Sequence, residues 1–478
     1  MPTAHIIIGG KATLGDGSAQ SVRSPFDGSM IGEISQASSG QVEAAIAGVQ
    51  WAREAFARMP AYKRAEACAH VSRRITERSE EFARLMALEA GKPLKTGRGE
   101  VQRAITTFRL AAEEATRIGG EQLPVEIDPR SEGYWAIVER FPIGPCAFIT
   151  PFNFPLNLVA HKVAPAMACG CPFIVKPSER TPLTALLLGE ILAELKLPEG
   201  SWSVLPCDRE TAKPLVSDDR IKLLSFTGSP QVGFKMKAEA GKKAVVLELG
   251  SNSAVIVEPE TNLADAATRI VAGAFGYAGQ SCISVQRIFL HESIAEEMTR
   301  LLVERSEDLV VGDPLDEKTD VGPVIDAAAA ERLLKWIRES GGQILCGGKR
   351  DGNLIWPTLV RNANPQSEVV RQEAFGPVAV IDTYSDFEEA LARVNASRFG
   401  LQAGLFSRDI HKIRHAFETL ELGGLIVNDV PTTRIDNMPY GGVKDSGLGR
   451  EGVKYAIEHM TERRLLLIRR DCGDGDDA

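Results

Sequence analysis

No apolar run in this 478-residue chain approaches the ~18 residues that a membrane-spanning helix needs. The "HIII" of residues 5–8 has no charged region ahead of it and is too short for a secretory leader. Positive charge is not in excess either: 55 Lys and Arg face 64 Asp and Glu, a net charge of −9, and no basic segment stands apart. That excludes the electrostatic footprint of a nucleic-acid binder. Cysteine is not concentrated, since its eight positions are scattered along the chain, which excludes a disulfide-framework domain and makes reduced thiols the expectation. Cys169-Gly170-Cys171 has no second Cys or His pair at ligand spacing, so no metal is expected and the pair reads as small residues beside a strand. Internal repeats and low-complexity tracts are missing as well. What is left is a cytoplasmic protein whose partner is a small molecule.

The composition, 44% hydrophobic and 25% charged, is that of a globular protein, and the length calls for two or three domains. From about residue 40 the pattern is helical: "SSGQVEAAIAGVQWAREAF" opens on serine caps, and "KRAEACAHVSRRITERSEEFARLMALEAG" keeps an apolar stripe to Gly91. After residue 140 short apolar runs ("PCAFIT", "CPFIVKP", "SWSVLP", "IKLLSFT", "KAVVLELG") alternate with helical stretches ("LTALLLGEILAEL", "VGFKMKAEAG"). Such alternation predicts right-handed βαβ units and a parallel sheet. A second α/β region spans 252–425, with "SAVIV", "RIFLH", "QILCGG" and "PVAVIDTY" as strands. Residues 119–139 and 460–470 fit neither pattern and read as β-arms of a symmetric oligomer, a homodimer or homotetramer. The acidic tail, 472–478, is expected to be disordered.

Several strand ends carry residues with chemical potential. "KPSERTP" (Lys176–Pro182) follows an apolar run, where a Lys and a Glu can meet ribose hydroxyls, although a plain surface loop is the equal alternative. "FTGSPQVG" places Ser229 as N-cap and Pro230 at the first helical position, a helix start that can hold a pyrophosphate or simply be capped; it lacks the G-x-G-x-x-G spacing. Glu248 in "VVLELGSNS" follows a strongly apolar strand, an expensive place for a carboxylate without work or a partner. "PFNFP" offers the Asn153 amide as an oxyanion donor, or merely a turn. "GQSC" presents Cys282 after small residues, where a buried inert thiol is the ordinary alternative to a nucleophile.

Taken together and in order, "PFNFP", "KPSERTP", "FTGSPQVG", "LELG", "GQSC", "EAFGPV" and "PYGGVKDSGLGREG" resemble the aldehyde dehydrogenase superfamily from about residue 20 to 470. The resemblance implies a Rossmann-like cofactor domain (1–118 and 140–249), a catalytic domain (250–455) and an oligomerisation arm (119–139 and 456–471). It implies Cys282 as nucleophile, Asn153 and the Cys282 N–H as oxyanion donors, and Glu248 as the base that activates water. Thr150, Pro151, Phe152, Lys176, Ser178, Glu179, Gly228, Ser229, Leu249, Glu373 and Phe375 match cofactor positions. A carboxylate at 179 suits a ribose 2′-hydroxyl and repels a 2′-phosphate, so NAD is expected ahead of NADP. The family's "ELGG" followed by Lys is replaced here by "ELGSNS", with Ser251 and Asn252.

The nearest branches are lactaldehyde and non-phosphorylating glyceraldehyde-3-phosphate dehydrogenases. Most of the second branch's phosphate clamp is missing, with Ser281 before the nucleophile and Phe154 in place of a tyrosine. Arg103 and Arg434 remain, either as anchors for a small hydroxylated or anionic aldehyde or as structural ion pairs. A CoA-acylating relative is the rival activity, opposed by Glu248; a non-catalytic cofactor-binding relative is the rival of another class.

Overall fold

The computed structural model describes residues 3–470. The expected disordered tail, 472–478, lies outside them. Two large sheets organise the chain. In the first, the parallel strands Cys146–Ile149, Phe173–Lys176, Trp202–Val204, Leu223–Gly228 and Ala244–Leu249 are the five apolar runs read from the sequence. Leu223–Gly228 lies beside Cys146–Ile149, which pairs on its other side with Phe173–Lys176, so the strand order reverses between the first and fourth of these strands. Ligands of open α/β sheets bind outside the carboxyl ends at such a reversal. Antiparallel edges complete it: Ile6–Ile8 and Lys11–Thr13 on one side, Gly447–Leu448 on the other.

The strands read as unbroken apolar runs because both faces are covered, every residue of Cys146–Ile149 and Phe173–Lys176 being buried. Phe148 and Phe173 stack at 6.0 Å in the larger core. Burying each such ring stabilises the fold by roughly 1.5–3 kcal/mol. The helix Asn157–Cys169 is buried at every position and returns the chain through Gly170 in the left-handed conformation. Cys169 and Cys171 pack beside the next strand with sulfurs 3.6 Å apart, as small core residues.

Two buried carboxylates fix the starts of the helices that follow these strands. Glu100 accepts from the N–H groups of Leu156 and Asn157, both at 2.9 Å, and pairs with the fully buried Lys92. Glu89 accepts from Leu183 and Thr184, also at 2.9 Å, at the start of the helix Pro182–Ala193. Burial pushes the Glu89 carboxyl up to about 7, against the pull of those N–H groups and the Thr184 hydroxyl.

The second sheet runs Gln343–Cys346, Thr358–Arg361, Val378–Tyr384, Arg287–His291, Ala254–Val257, Gln402–Phe406, Gly424–Val427, all parallel except the first pair. Four of these seven strands were anticipated; Thr358–Arg361, Gln402–Phe406 and Gly424–Val427 were not. A third sheet pairs Thr461–Arg469 with Tyr134–Pro142, and that strand with Glu121–Leu123, so the two arm segments meet each other. Late in the chain, Gly447–Leu448 rejoins the first sheet beside Leu247 and Glu248, and the helix Val453–His459 packs on Asn157–Cys169.

Candidate active site

The site lies where the carboxyl ends of the first sheet's strands meet the segments that lead into the amino ends of the second sheet's strands Ala254–Val257, Arg287–His291 and Val378–Tyr384. The turn before Cys282 is an unusual piece of backbone: Tyr277, Ala278 and Gly279 all have positive φ, at 51°, 52° and 65°. Non-glycine residues persist there only when their surroundings enforce it. Here the Tyr277 hydroxyl donates to the Ala90 carbonyl at 2.9 Å, Lys92 lies over its ring, and Ala278 is fully enclosed. Gly279 admits no side chain, because a Cβ would stand 2.2 Å from the Gly376 carbonyl oxygen. The turn delivers Cys282, partly exposed, with its sulfur 2.9 Å from the Tyr440 hydroxyl.

Asn153 follows the strand Cys146–Ile149 and is buried; its Nδ2 donates to the Gln280 carbonyl at 3.0 Å, while Oδ1 has no partner among the described residues. That bond ties the carboxamide to the turn carrying the thiol. Glu248 is the penultimate residue of Ala244–Leu249 and is 3% exposed, and neither carboxylate oxygen has a hydrogen-bond partner among the described residues. It faces the loop of Tyr440: a Cβ on Gly441 would lie 3.1 Å from Oε1. Burial, reinforced by the nearby Glu451, pushes the Glu248 carboxyl well above the usual carboxylate range; Lys162, Arg434 and Arg450 oppose this. Burial likewise pushes the Cys282 thiol up to about 12, against the Tyr440 hydrogen bond. A thiol and a buried carboxyl thus approach Tyr440-Gly441 from different sides.

The positions matched to a cofactor line the reversal point. Lys176 is nearly buried, 3.5 Å from Glu179, and its carbonyl accepts from the N–H of Thr150 at 3.1 Å. Ser178 accepts from the Arg180 N–H. Ser229 stands at the N-cap as expected, but its side chain makes no capping bond, so the first turn of the ten-residue helix Pro230–Glu239 stays open. The buried Thr227 hydroxyl nearby also lacks a partner among the described residues. Across the site, the Glu373 carboxylate fills the space that a side chain at Gly250 would take and accepts from Ser251 N at 3.0 Å. Burial raises it to about 7, opposed by that N–H and by Arg332. Pro151 and Phe152 begin the loop after Cys146–Ile149, and Phe152 meets Phe375 edge-to-face at 5.8 Å, joining the two sides. Leu249 is buried and donates to Ser446 O. An open helix start, a strand-end Lys–Glu pair and a buried carboxylate opposite suit an extended ligand carrying phosphates and ribose hydroxyls. Ser251 and Asn252 serve the loops, Asn252 joining Val370 and Ser397.

The residues expected to meet substrate are mostly engaged with protein. Phe154 packs edge-to-face on Tyr277 with the Lys92 ammonium 3.7 Å from its centroid. Ser281 is partly exposed beside the thiol. Arg434 has a 5% exposed side chain, pairs with Glu451 at 3.0 Å and lies 3.7 Å over the Tyr440 ring. Arg103 spends Nε and Nη2 on Asp436, which also meets His161 at 2.9 Å. Tyr440, Glu451, Lys162, His161 and Asp436 were not singled out from the sequence. Lys162 pairs with Glu451 at 2.7 Å and donates to Ser225. A His-Lys pair inside the otherwise apolar "NLVAHKVAPAMAC" was the available signal.

A family model described as "Aldehyde dehydrogenase family" matches residues 13–466. The 3-sulfolactaldehyde dehydrogenase of Priestia aryabhattai is 46% identical, over 91% of this chain and 92% of its own. The lactaldehyde dehydrogenase of Methanococcus aeolicus is 36% identical, over 94% and 96%. Among solved structures, aldehyde dehydrogenase 21 from Physcomitrella patens, in complex with the reaction product succinate, superposes with a TM-score of 0.97 at 43% identity, covering 99% of this chain and 100% of that one. The glyceraldehyde-3-phosphate dehydrogenase GapN from Methanocaldococcus jannaschii, complexed with NADP, gives 0.90 at 38%, covering 94% and 99%. With a family model matching residues 13–466 and a solved structure superposing over 99% of its length, the chain belongs to the aldehyde dehydrogenase family, NAD(P)-dependent oxidoreductases acting on aldehydes.

Proposed function

We propose that the chain oxidises a short aldehyde bearing a hydroxyl or anionic group to its carboxylic acid through a covalent bond to Cys282, and that it uses NAD ahead of NADP. The observation that carries this reading is the approach of Cys282 and Glu248 to the same two-residue stretch, Tyr440-Gly441, from different sheets. Cys282 Sγ adds to the aldehyde carbon, and the oxygen that gains charge is held by the Asn153 amide and the Cys282 N–H. When bound, NAD(P) supplies the hydride acceptor that turns this adduct into a thioester. Lys176, Glu179, Ser178, Gly228, Ser229, Leu249 and the Thr150-Pro151-Phe152 stretch would hold it on one side, Glu373 and Phe375 on the other. Glu248, once it has lost its proton, takes one from the water that attacks the thioester.

A Glu248 carboxyl with no hydrogen-bond partner among the described residues supports hydrolysis over acyl transfer to CoA, because water is a far weaker acid than a CoA thiol and has the greater need of a base. The anionic substrate class is supported by the sulfonated and dicarboxylate compounds named for two relatives. Arg103 is the better-placed anchor: its side chain is 26% exposed and, among the described residues, its Nη1 has no partner. We also assign cofactor binding to residues 1–118 and 140–249, catalysis to 250–455, and homo-oligomer contacts to the arm, with the loop and helix of 447–459 returning to the first unit. Seven free thiols among the described residues suit the cytoplasm.

Glu248→Gln tests the reading. The amide keeps the shape but cannot accept the proton, so a single burst of NADH is expected, followed by turnover slowed about a hundredfold or more. Product release dependent on added CoA, or burst and steady-state rates falling equally, would overturn it.

A further inference from the structure

We infer that Tyr440 is a further catalytic residue: its hydroxyl, set 2.9 Å from Cys282 Sγ and backed by the Arg434 guanidinium, donates a hydrogen bond that holds the sulfur in place and favours its thiolate. The inference rests on Cys282 as the reacting group. Tyr440 is 3% exposed and cannot swing away, because its backbone exchanges two hydrogen bonds with Glu451, Tyr440 N to Glu451 O at 3.0 Å and the return bond at 2.6 Å. Its ring packs with Ile283 and Leu401 against Cys282. Arg434 lies over the Tyr440 ring: pinned by Glu451, it places positive charge 3.7 Å from the ring centroid. A cation over the π-face makes the phenol a stronger donor, and a hydrogen bond to an ionised acceptor is about twice as strong as one to a neutral one.

The charges that reach the thiol are few. Glu373 and Glu248 approach it with carboxyls that disfavour a thiolate, and Arg434 favours one. Tyr440 itself is faced by Cys282, Arg434 and Glu248. Burial holds the phenol well above its usual range, so it keeps its proton, and once the sulfur is ionised only the hydroxyl can donate. Nothing else among the described residues hydrogen-bonds the Cys282 sulfur, so without the hydroxyl the thiolate would have only the distant Arg434 to offset its burial.

The test reads the thiol directly. Iodoacetamide alkylation of the full-length enzyme is followed against pH by the mass of the Cys282-containing peptide, in wild type and in Tyr440→Phe. The expected result is an alkylation rate at pH 7 lowered roughly ten- to a hundredfold in Tyr440→Phe. Site-specific 3-fluorotyrosine at position 440 keeps the shape, strengthens the donor and should raise that rate. A rate unchanged in Tyr440→Phe overturns the inference. The assay needs no aldehyde, so its outcome is separate from that of the catalytic reading, whose own failure would appear as aldehyde turnover by Cys282→Ala.

Discussion

Arginines 103 and 434 differ in what they have left to offer. Arg434 is enclosed, paired with Glu451 and stacked on Tyr440, so removing it strips charge from Glu451 and support from the ring beside the thiol. Arg103 reaches Asp436 with two nitrogens and keeps a third. Arg103→Gln is therefore expected to raise KM for an aldehyde carrying a carboxylate or sulfonate by roughly ten- to a hundredfold, the worth of a hydrogen bond to a charged group, and to change little for a neutral aldehyde of the same length. Arg434→Leu should harm both substrates alike. Steady-state kinetics on the matched pair checks this, and a uniform loss in Arg103→Gln would make that residue structural too. A pH effect belongs to the same corner. Burial and the Arg434 charge push His161 down to about 4, against Asp436, whose own carboxyl is held near 2 because the His161 hydrogen bond and Arg103 outweigh its burial. A histidine with a depressed folded pKa contributes stability in full above its unfolded value, about 6.5, and loses it as pH falls toward 4. The melting temperature of His161→Gln should accordingly fall less between pH 6.5 and 4.5 than that of wild type.

Helix starts are where single side chains govern whole elements. Glu100 satisfies two N–H groups of the helix that follows the Asn153 loop, and it neutralises Lys92 beneath Phe154. Glu100→Ala leaves an uncompensated ammonium in the core, and breaking a buried pair this way costs about 3–5 kcal/mol. Thermal unfolding should show a clear drop, most of which Lys92→Met in the same chain restores; no restoration would place the loss in the helix start instead. Elements of this kind mark the limits of what the sequence could say. The five strands of the first sheet were legible because both of their faces are covered, which writes them as continuous apolar runs. Gly424–Val427 was missed because it is a half-exposed edge, and Gln402–Phe406 because it opens on polar and small residues despite being wholly buried. Cys282, Glu248 and Asn153 were legible from strand ends and motif order. The network behind them was not: Lys162, Glu451 and Arg434 come from segments up to 289 residues apart, and only tertiary folding brings their charges together.

At the scale of the whole molecule, the strand Thr461–Arg469 is a sheet edge, paired on one side only among the described residues. Leu465, Leu466, Leu467 and Ile468 are 60%, 50%, 49% and 42% exposed, on both faces of a sheet edge. An apolar edge of this kind invites pairing with another chain. Leu465→Asp combined with Leu467→Asp should lower the mass found by sedimentation while leaving the circular dichroism of the subunit unchanged; an unchanged mass would remove the arm from the assembly. The return of Gly447–Leu448 to the first sheet has a different reach. Glu248 sits on the strand that this pair covers, yet about 200 residues separate the two in the chain. On a ribosome adding roughly 5–20 residues per second, the nascent first sheet waits some 10–40 seconds with that edge bare. A gene cut after residue 249 would yield a fragment in which the strand of Glu248 forms an open edge of the first sheet, so that sheet is completed only when both halves are made.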